Sequence, residues 1–123
     1  MKYLLLLNTP DDGLPAEGTA EYADTYVRYS TAMGAMAQAG VLIECRPLRA
    51  SSSATTVRVR DGETLLTDGP AAEIKEQVGG YALIECADLD DALKWAATIP
   101  AAEVGSVEVR PVVDTPPPAP ASH

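Results

Sequence analysis

The chain has 123 residues, of which 46% are hydrophobic, a size and composition typical of one compact domain. Nine Lys and Arg residues against 18 Asp and Glu residues give a formal net charge of −9, which repels nucleic-acid phosphates and anionic lipid surfaces. Its longest apolar run, residues 4–7, is far below the ~20 residues of a membrane span, and no leader-like apolar segment precedes it. We therefore expect a soluble, cytoplasmic protein with no nucleic-acid or membrane partner.

The first third of the chain predicts a strand, a long helix and a second strand. Residues 2–8 are typical of a central strand buried on both faces, and a loop rich in Pro, Asp and Gly follows over 9–18. Apolar residues then recur at the spacing of a helix over 19–39, and Gly40 is suited to the left-handed conformation that ends a helix. A second strand is predicted over 41–46. One helical stripe is expected to pack in the core: Tyr22, Tyr26, Tyr29, Met33 and Met36.

The middle of the chain predicts a hairpin and a short helix. Two β-rich runs, at 54–60 and 63–67, flank Asp61 and Gly62, a pair that favours a tight hairpin turn. A break at a Gly-Pro pair follows, and residues 71–78 are then compatible with a short helix that has a proline in its first turn.

The last third predicts a strand, a helix and a final strand. A strand is expected over 81–86, and Asp88 has the position of a helix N-cap. Pro100 ends this helix, and residues 105–113 alternate as a strand does. The apolar stripe expected on the helix is Leu89, Ala92, Leu93 and Ala96.

The order of elements indicates the fold. Without the inserted hairpin and short helix it is βαββαβ, the ferredoxin-like α+β sandwich. The string Leu-Ile-Glu-Cys occurs at 42–45 and again at 83–86, and we expect these two strands to be antiparallel neighbours. The sequence thus predicts one domain over residues 1–113, followed by a Pro/Ala-rich, disordered tail over 114–123.

The rare residues exclude several kinds of chemistry. The single histidine is His123, the last residue, so Ser-His-Asp triads, Cys-His pairs and histidine metal sites lack a firmly held imidazole. We predict no metal site and expect no cofactor. Cys45 and Cys86 lie on predicted strands, where they are either small buried hydrophobic residues or, if the strands bring them together, a redox pair.

Residues 67–81 read Thr-Asp-Gly-Pro-Ala-Ala-Glu-Ile-Lys-Glu-Gln-Val-Gly-Gly-Tyr. Further along the chain come Trp95-Ala96 and the final predicted strand. This string resembles the signature of the DGPF, or YCII-related, family of small bacterial proteins, and the resemblance covers nearly all of residues 1–113. It implies a ferredoxin-like fold that pairs into a dimeric α/β barrel, hence a homodimer, and most members have no known activity. Relatives are often encoded beside extracytoplasmic-function sigma factors, which suggests a regulatory role.

The resemblance also bears on catalysis. Some relatives carry a histidine in the first helix that, with an aspartate, is a proposed catalytic pair. This chain has Tyr29 at about that position, so an activity that depends on the histidine is not carried over. The signature phenylalanine is replaced by Ala71, which removes an aromatic ring beside the suspected pocket.

Two groups of residues are candidate ligand sites. The first is the signature loop, where Asp68 and Lys75 flank the start of the predicted short helix and either cap it or hold a small anion. The second is the sheet face away from the helices, which a dimeric barrel would bury. There, charged side chains either line a polar cavity, form ion pairs between strands or simply lie at the solvated edge of the sheet: Glu44, Arg46, Glu85, Glu108 and Arg110.

Two functions follow from these observations. The first is a non-catalytic homodimer that binds a small molecule or a protein partner and has a regulatory role. The second is an enzyme acting on a small anionic organic substrate in the barrel cavity. In that alternative Asp68 and Tyr29 supply acid and base, and Arg46 or Arg110 holds the anionic group.

Overall fold

A computed structural model describes residues 1–10, 15–116 and 118–119. The described residues form six strands: β1 (Lys2–Pro10), β2 (Leu42–Pro47), β3 (Thr55–Arg60), β4 (Glu63–Asp68), β5 (Glu76–Glu85) and β6 (Ser106–Pro111). The same part of the chain contains the α-helices α1 (Ala20–Gln38), α2 (Leu89–Ala97) and α3 (Ala101–Val104). A 3-10 turn at Ser51–Ser53 lies between β2 and β3.

The main sheet has the strand order β2-β5-β1-β6, and every neighbouring pair is antiparallel. If the hairpin β3–β4 is set aside, this is a βαββαβ chain in which the first and third strands are central. The mixed α+β architecture is compatible with the predicted ferredoxin-like fold. The first copy of Leu-Ile-Glu-Cys lies on β2 and the second at the end of β5, and these strands are antiparallel neighbours as predicted.

One face of the sheet carries the core. Tyr3, Leu5 and Leu7 of β1 are buried with Ile84 of β5, and the helices cover them with a few apolar side chains such as Met36. The alternate residues of β1 are only half-buried. The prediction that this strand is buried on both faces is therefore wrong for the single chain, because all the helices that pack on the sheet lie on one side of it.

Helix α1 has a defined hydrogen-bonded end on each side, and the C-terminal one at Gly40 was predicted. The hydroxyl of Thr19 accepts a hydrogen bond from the backbone N–H of Tyr22, which caps the N-terminus. Gly40 has φ +78°, and its N–H donates to the carbonyl of Ala37 while the N–H of Val41 donates to that of Met36. These are the two hydrogen bonds of a Schellman end, so Gly40 ends the helix by adopting the left-handed conformation.

Only the C-terminal half of the predicted tyrosine and methionine stripe reaches the core. Tyr29, Met33 and Met36 contact it, but Tyr22 is 38% exposed and Tyr26 59% exposed. Helix α1 contacts β2, and its 19 residues span about 28 Å, whereas the six residues of β2 span about 20 Å. The first turns of α1 therefore extend beyond the end of β2.

The predicted short helix over 71–78 is absent. Residues 71–75 are irregular, and β5 begins at Glu76, where it pairs with Pro10, while Gln77 pairs with Thr9. β1 thus extends further than predicted, into the expected loop, and offers backbone partners to this segment. The side chain of Gln77 also donates to the carbonyls of Ala72 and Ile74 at 3.1 Å, which holds the irregular turn. Strand pairing therefore overrides the local helix signal.

The hairpin β3–β4 forms at the predicted turn. Asp61 and Gly62 both have positive φ, 52° and 77°, as a type I′ turn requires. The hairpin is a two-stranded sheet of its own, and apolar side chains along it are exposed: Val57, Val59, Leu65 and Leu66.

Helix α2 begins where predicted but buries different residues from those expected. The N-cap is confirmed, because the carboxylate of Asp88 accepts a hydrogen bond from the N–H of Asp91 at 3.0 Å. Ala92 and Ala96 are buried, but Leu89 and Leu93 are nearly half exposed. Their expected place in the core is taken by Trp95, Ile99 and Ala101, the last of which belongs to the unpredicted helix α3.

The end of the chain is partly described. Residues 112–116, 118 and 119 have no regular secondary structure, while Pro117 and residues 120–123, including His123, lie outside the described residues. The predicted tail is therefore described only in part. Within the described ranges, no helix is both long and apolar enough to cross a membrane.

Gly105 is required by a close backbone approach, and this is testable. A Cβ at this position would overlap the carbonyl oxygen of Asn8 on β1. We expect Gly105→Ala to lower the free energy of unfolding by about 2 kcal/mol or more, because a backbone atom cannot move aside easily. The measurement is the midpoint of chemical denaturation.

The control is Gly34→Ala on α1, where an added Cβ meets nothing within 4 Å. This change should leave stability unchanged or raise it, since alanine favours a helix by about 1 kcal/mol over glycine. Equal effects of the two substitutions would contradict the close approach.

Candidate functional site

The candidate site is the sheet face opposite the helices, called the open face below. Its centre is apolar and half-buried, and its outer parts are charged and exposed. The central residues are Leu4, Leu6, Tyr81 and Leu83. The charged residues are Lys2, Glu44, Arg46, Glu85, Glu108 and Arg110.

Strand register fixes the position of each side chain on this face. Leu4 lies opposite Leu83 on one side and Arg110 on the other, and Glu44 is opposite Leu83 on the next strand. This gives one row across the sheet: Glu44, Leu83, Leu4, Arg110. The next row is Arg46, Tyr81, Leu6, Glu108, and a shorter row at one end holds Glu85 and Lys2.

A bulge in β2 changes the predicted alternation. Strict alternation along a strand would place Val41, Ile43 and Cys45 on one side and Leu42 on the other side together with Glu44. The register shifts between Leu42 and Glu44, so Leu42 and Cys45 both pack against the core and Ile43 is 49% exposed. One extra residue in a strand turns the side chains that precede it to the opposite face of the sheet. Glu44 keeps its expected place on the open face.

The charged groups of the open face are weakly paired within the chain. Arg110 Nε lies 3.7 Å from Glu108 Oε2, with both side chains more than half exposed. Arg46 donates to the carbonyl of Cys45, its own neighbour. In the described ranges Glu44, Arg46, Lys2 and Glu85 form no ion pair within 4.0 Å. Exposed pairs of this kind add little stability, so these charges remain available to a ligand or a partner.

The signature loop is held by backbone hydrogen bonds. Gly69 has φ +96°, its N–H donates to the carbonyl of Ala54 at 2.7 Å, and its carbonyl accepts from the hydroxyl of Thr56 at 2.7 Å. Asp68 is the last residue of β4 and is exposed, rather than capping a helix. Lys75 is exposed in the irregular segment before β5. The anion site imagined at a helix N-terminus therefore has no helix to supply it.

The acid and base candidates lie apart in the fold. Tyr29 packs against the core from α1, whereas Asp68 lies on the separate hairpin sheet. No hydrogen bond joins the two among residues 1–10, 15–116 and 118–119. Partial burial raises the pKa of Tyr29 above its ordinary value of 10.0, and Arg28 opposes this only in part. At neutral pH this phenol is a proton donor and not a base.

The two cysteines are free and separate. Cys45 is opposite Ala82 on β5, and Cys86 comes four residues later, just after the end of that strand, a separation of about 13 Å in extended chain. A disulfide needs Cα atoms within about 7 Å, so the redox pairing does not fit this register. Burial raises the pKa of the Cys86 thiol, and nearby Asp91 acts in the same direction.

A polar group that the sequence analysis did not single out lies at the other end of the open face. Asn8 donates to the hydroxyl of Ser106 at 3.4 Å, and that hydroxyl donates to Glu76 at 3.2 Å. These residues are about 30 to 98 positions apart in the chain, so only the pairing of β1 with β5 and β6 brings them together. Across the described residues, no group of three or more His, Cys, Asp or Glu side chains is placed to hold a metal ion.

Comparison with known proteins decides the family. The sequence profile of the YCII-related domain matches residues 1–116, nearly the whole chain. The chain belongs to the YCII-related family. An uncharacterized protein of Rhizobium meliloti (strain 1021) is 46% identical over 77 residues, which are 61% of this chain and 62% of the relative. The chain thus matches less than two thirds of that relative's length.

Membership of the YCII-related family confirms the resemblance carried by residues 67–81. The relative from Rhizobium meliloti is itself uncharacterized, so it assigns no activity to this YCII-related chain. The geometry of the open face is therefore what indicates a function for this protein.

The raised pKa of Tyr29 predicts a loss of stability at alkaline pH. In the unfolded chain this phenol ionises near pH 10, while in the folded chain it stays protonated to higher pH. The resulting stability is present below about pH 10 and is lost as the pH rises towards the folded pKa. We expect Tyr29→Phe to reduce the alkaline fall in the free energy of unfolding, measured by urea denaturation across this range.

The matched control is Tyr26→Phe on the same helix, where the ring is 59% exposed. This substitution should leave the decrease in the free energy of unfolding at alkaline pH the same as in the unaltered protein. Equal behaviour of the two variants would show that burial of Tyr29 does not govern the effect.

Proposed function

We propose that this YCII-related protein is a non-catalytic homodimer that binds a small organic molecule between two copies of its open face. The observation that carries the proposal is the apolar centre of that face. Leu4, Leu6 and Leu83, with Tyr81, stand half-buried on the side of the sheet that the chain's own helices leave uncovered. A second copy is the partner that would cover such a face.

The arrangement of polar and apolar groups supports this interpretation. Apolar side chains lie on the two central strands, and charged side chains lie on the edge strands β2 and β6. An apolar centre with a charged rim is the usual arrangement of a protein interface. Two sheets packed face to face lie about 10 Å apart, so side chains of both copies would meet between them.

The lining of the enclosed space suggests the kind of ligand. Leucine side chains and the ring of Tyr81 would contact a mainly apolar molecule, and the Tyr81 hydroxyl offers it one hydrogen-bonding group. Arg46 and Arg110 lie at the two edges, where they would hold an anionic group that reaches the rim. Lys75 is on the irregular segment and is a contact only for a ligand that extends beyond the sheet.

The absence of catalysis is supported by the positions of the candidate acid and base. Tyr29 lies on the helix side of the sheet, and Asp68 lies on the hairpin. Neither is on the open face. Since an acid and a base must both reach the reacting atoms, this placement favours binding over chemistry.

The ligand is tested by thermal shift with mixtures of small organic anions and apolar metabolites, followed by titration of single compounds. We expect a saturable rise in Tm for one compound class, because a ligand that binds only the folded dimer stabilises it. Leu83→Ala should weaken that rise. A rise that persists unchanged in Leu83→Ala, or no rise from any compound, would contradict a ligand site on the open face.

The dimer is tested by placing a charge at the apolar centre. We expect the unaltered protein to have a dimer mass by light scattering at micromolar concentration, and Leu6→Glu to have a monomer mass. A carboxylate in the centre of a closed interface would be desolvated without a partner, which is costly. Circular dichroism checks that the variant remains folded.

The control is Leu66→Glu, the same substitution at a hairpin position that is 69% exposed. This variant should remain dimeric. A monomeric mass for the unaltered protein would overturn the proposal directly.

A further inference from the structure

The two edge strands of the open face carry the same short motif. Residues 44–47 read Glu-Cys-Arg-Pro on β2, and residues 108–111 read Glu-Val-Arg-Pro on β6. In both strands the Glu and the Arg are two positions apart, so both side chains of each pair are on the open face.

The strand directions set these two motifs against each other. Each neighbouring pair in the order β2-β5-β1-β6 is antiparallel, so β2 and β6 run in opposite directions. As a result, Glu44 shares its row with Arg110, and Arg46 shares its row with Glu108. The four corners of the face therefore alternate in charge.

A two-fold axis that lies between two facing sheets and parallel to the strands exchanges the two edges and leaves every row at its own level. Under this operation Glu44 faces the partner's Arg110. In the same way Arg46 faces the partner's Glu108, and the two reciprocal pairs repeat these contacts. The face is thus electrostatically complementary to itself.

The end row, which holds Lys2 and Glu85, distinguishes this axis from a two-fold axis that runs across the strands. Lys2 and Glu85 are directly opposite each other on the two central strands. An axis parallel to the strands sets Lys2 over the partner's Glu85, which completes a set of opposite charges. An axis across the strands would also pair the corner charges, but it sets Glu85 over the partner's Val78 and Lys2 over the partner's Asn8, which leaves two charges unmatched.

We infer that the partner recognised by the open face is a second copy whose β6 edge lies over the β2 edge of the first. This inference rests on the homodimer proposed above and specifies its register. The charged side chains of the edges then serve mainly to align the two copies, and the apolar centre remains for the ligand. The open face is therefore specific for a second copy of this chain, because the same charge pattern must be present on both surfaces.

Two charge-swap variants of the full chain test the register. The first is Glu44→Arg/Arg46→Glu, and the second is Glu108→Arg/Arg110→Glu; each keeps the net charge. In either variant alone, like charges would meet across the dimer, so we expect at least a tenfold rise in the Kd for dimerisation. Mixed together, the two variants would restore every opposite pair, so a heterodimer should form with a Kd near that of the unaltered protein.

The two variants have the same composition and therefore the same mass, so one of them is labelled uniformly with ¹⁵N. Sedimentation equilibrium gives the Kd values, and native mass spectrometry distinguishes the heterodimer by its intermediate mass. The matched control is Arg60→Glu/Glu63→Arg, which swaps a cross-strand pair on the hairpin and should leave the Kd unchanged. Addition of salt should weaken the unaltered dimer more than either single variant.

The outcomes separate this inference from the proposed function. A monomeric unaltered protein would overturn both. If each variant dimerises like the unaltered protein, or if the mixture yields no preferred heterodimer, the dimer stands and the register is wrong. Variants that dimerise well alone but not with each other would instead indicate the axis across the strands.

Discussion

The structure depends on the fact that β1 is a central strand with leucines on both of its faces. The helices cover one face, where Leu5 and Leu7 are buried, and leave Leu4 and Leu6 half-exposed on the other. A sheet with helices on one side buries only half of its apolar side chains, and the remaining half needs another surface. The proposed dimer, its ligand space and the alignment of its charged edges all follow from the fact that the helices cover only one face of the sheet.

The charged edges matter because of where they lie and not because of their strength within the chain. The contact between Arg110 and Glu108 is exposed and long, and such a pair contributes little in water. The same groups gain influence when water is excluded around them, since a wrong partner would then place like charges together. In the proposed dimer, the apolar centre supplies the attraction between the two copies, and the charged rim sets their relative orientation.

The signature segment has an evident structural role. Gly69 supplies a backbone conformation that other residues adopt with strain, and Thr56 and Gln77 bind the carbonyls of the segment. These contacts join the hairpin to the start of β5 and fix where the strand pairing begins. The path of the backbone thus gives a structural role to a conspicuous motif.

The sequence alone determined the elements whose signals are local. The left-handed Gly40, the Asp61-Gly62 turn and the cap at Asp88 each depend on a few neighbouring residues, and all three were predicted. The sequence also indicated which charged residues share the sheet face with Glu44, because strands alternate with period two. Tertiary structure decided the rest: the bulge at Ile43, the conversion of residues 76–78 from helix to strand, and the exposure of Tyr22 and Tyr26. These depend on which strand lies alongside and how far it extends, a condition set by residues far away in the chain.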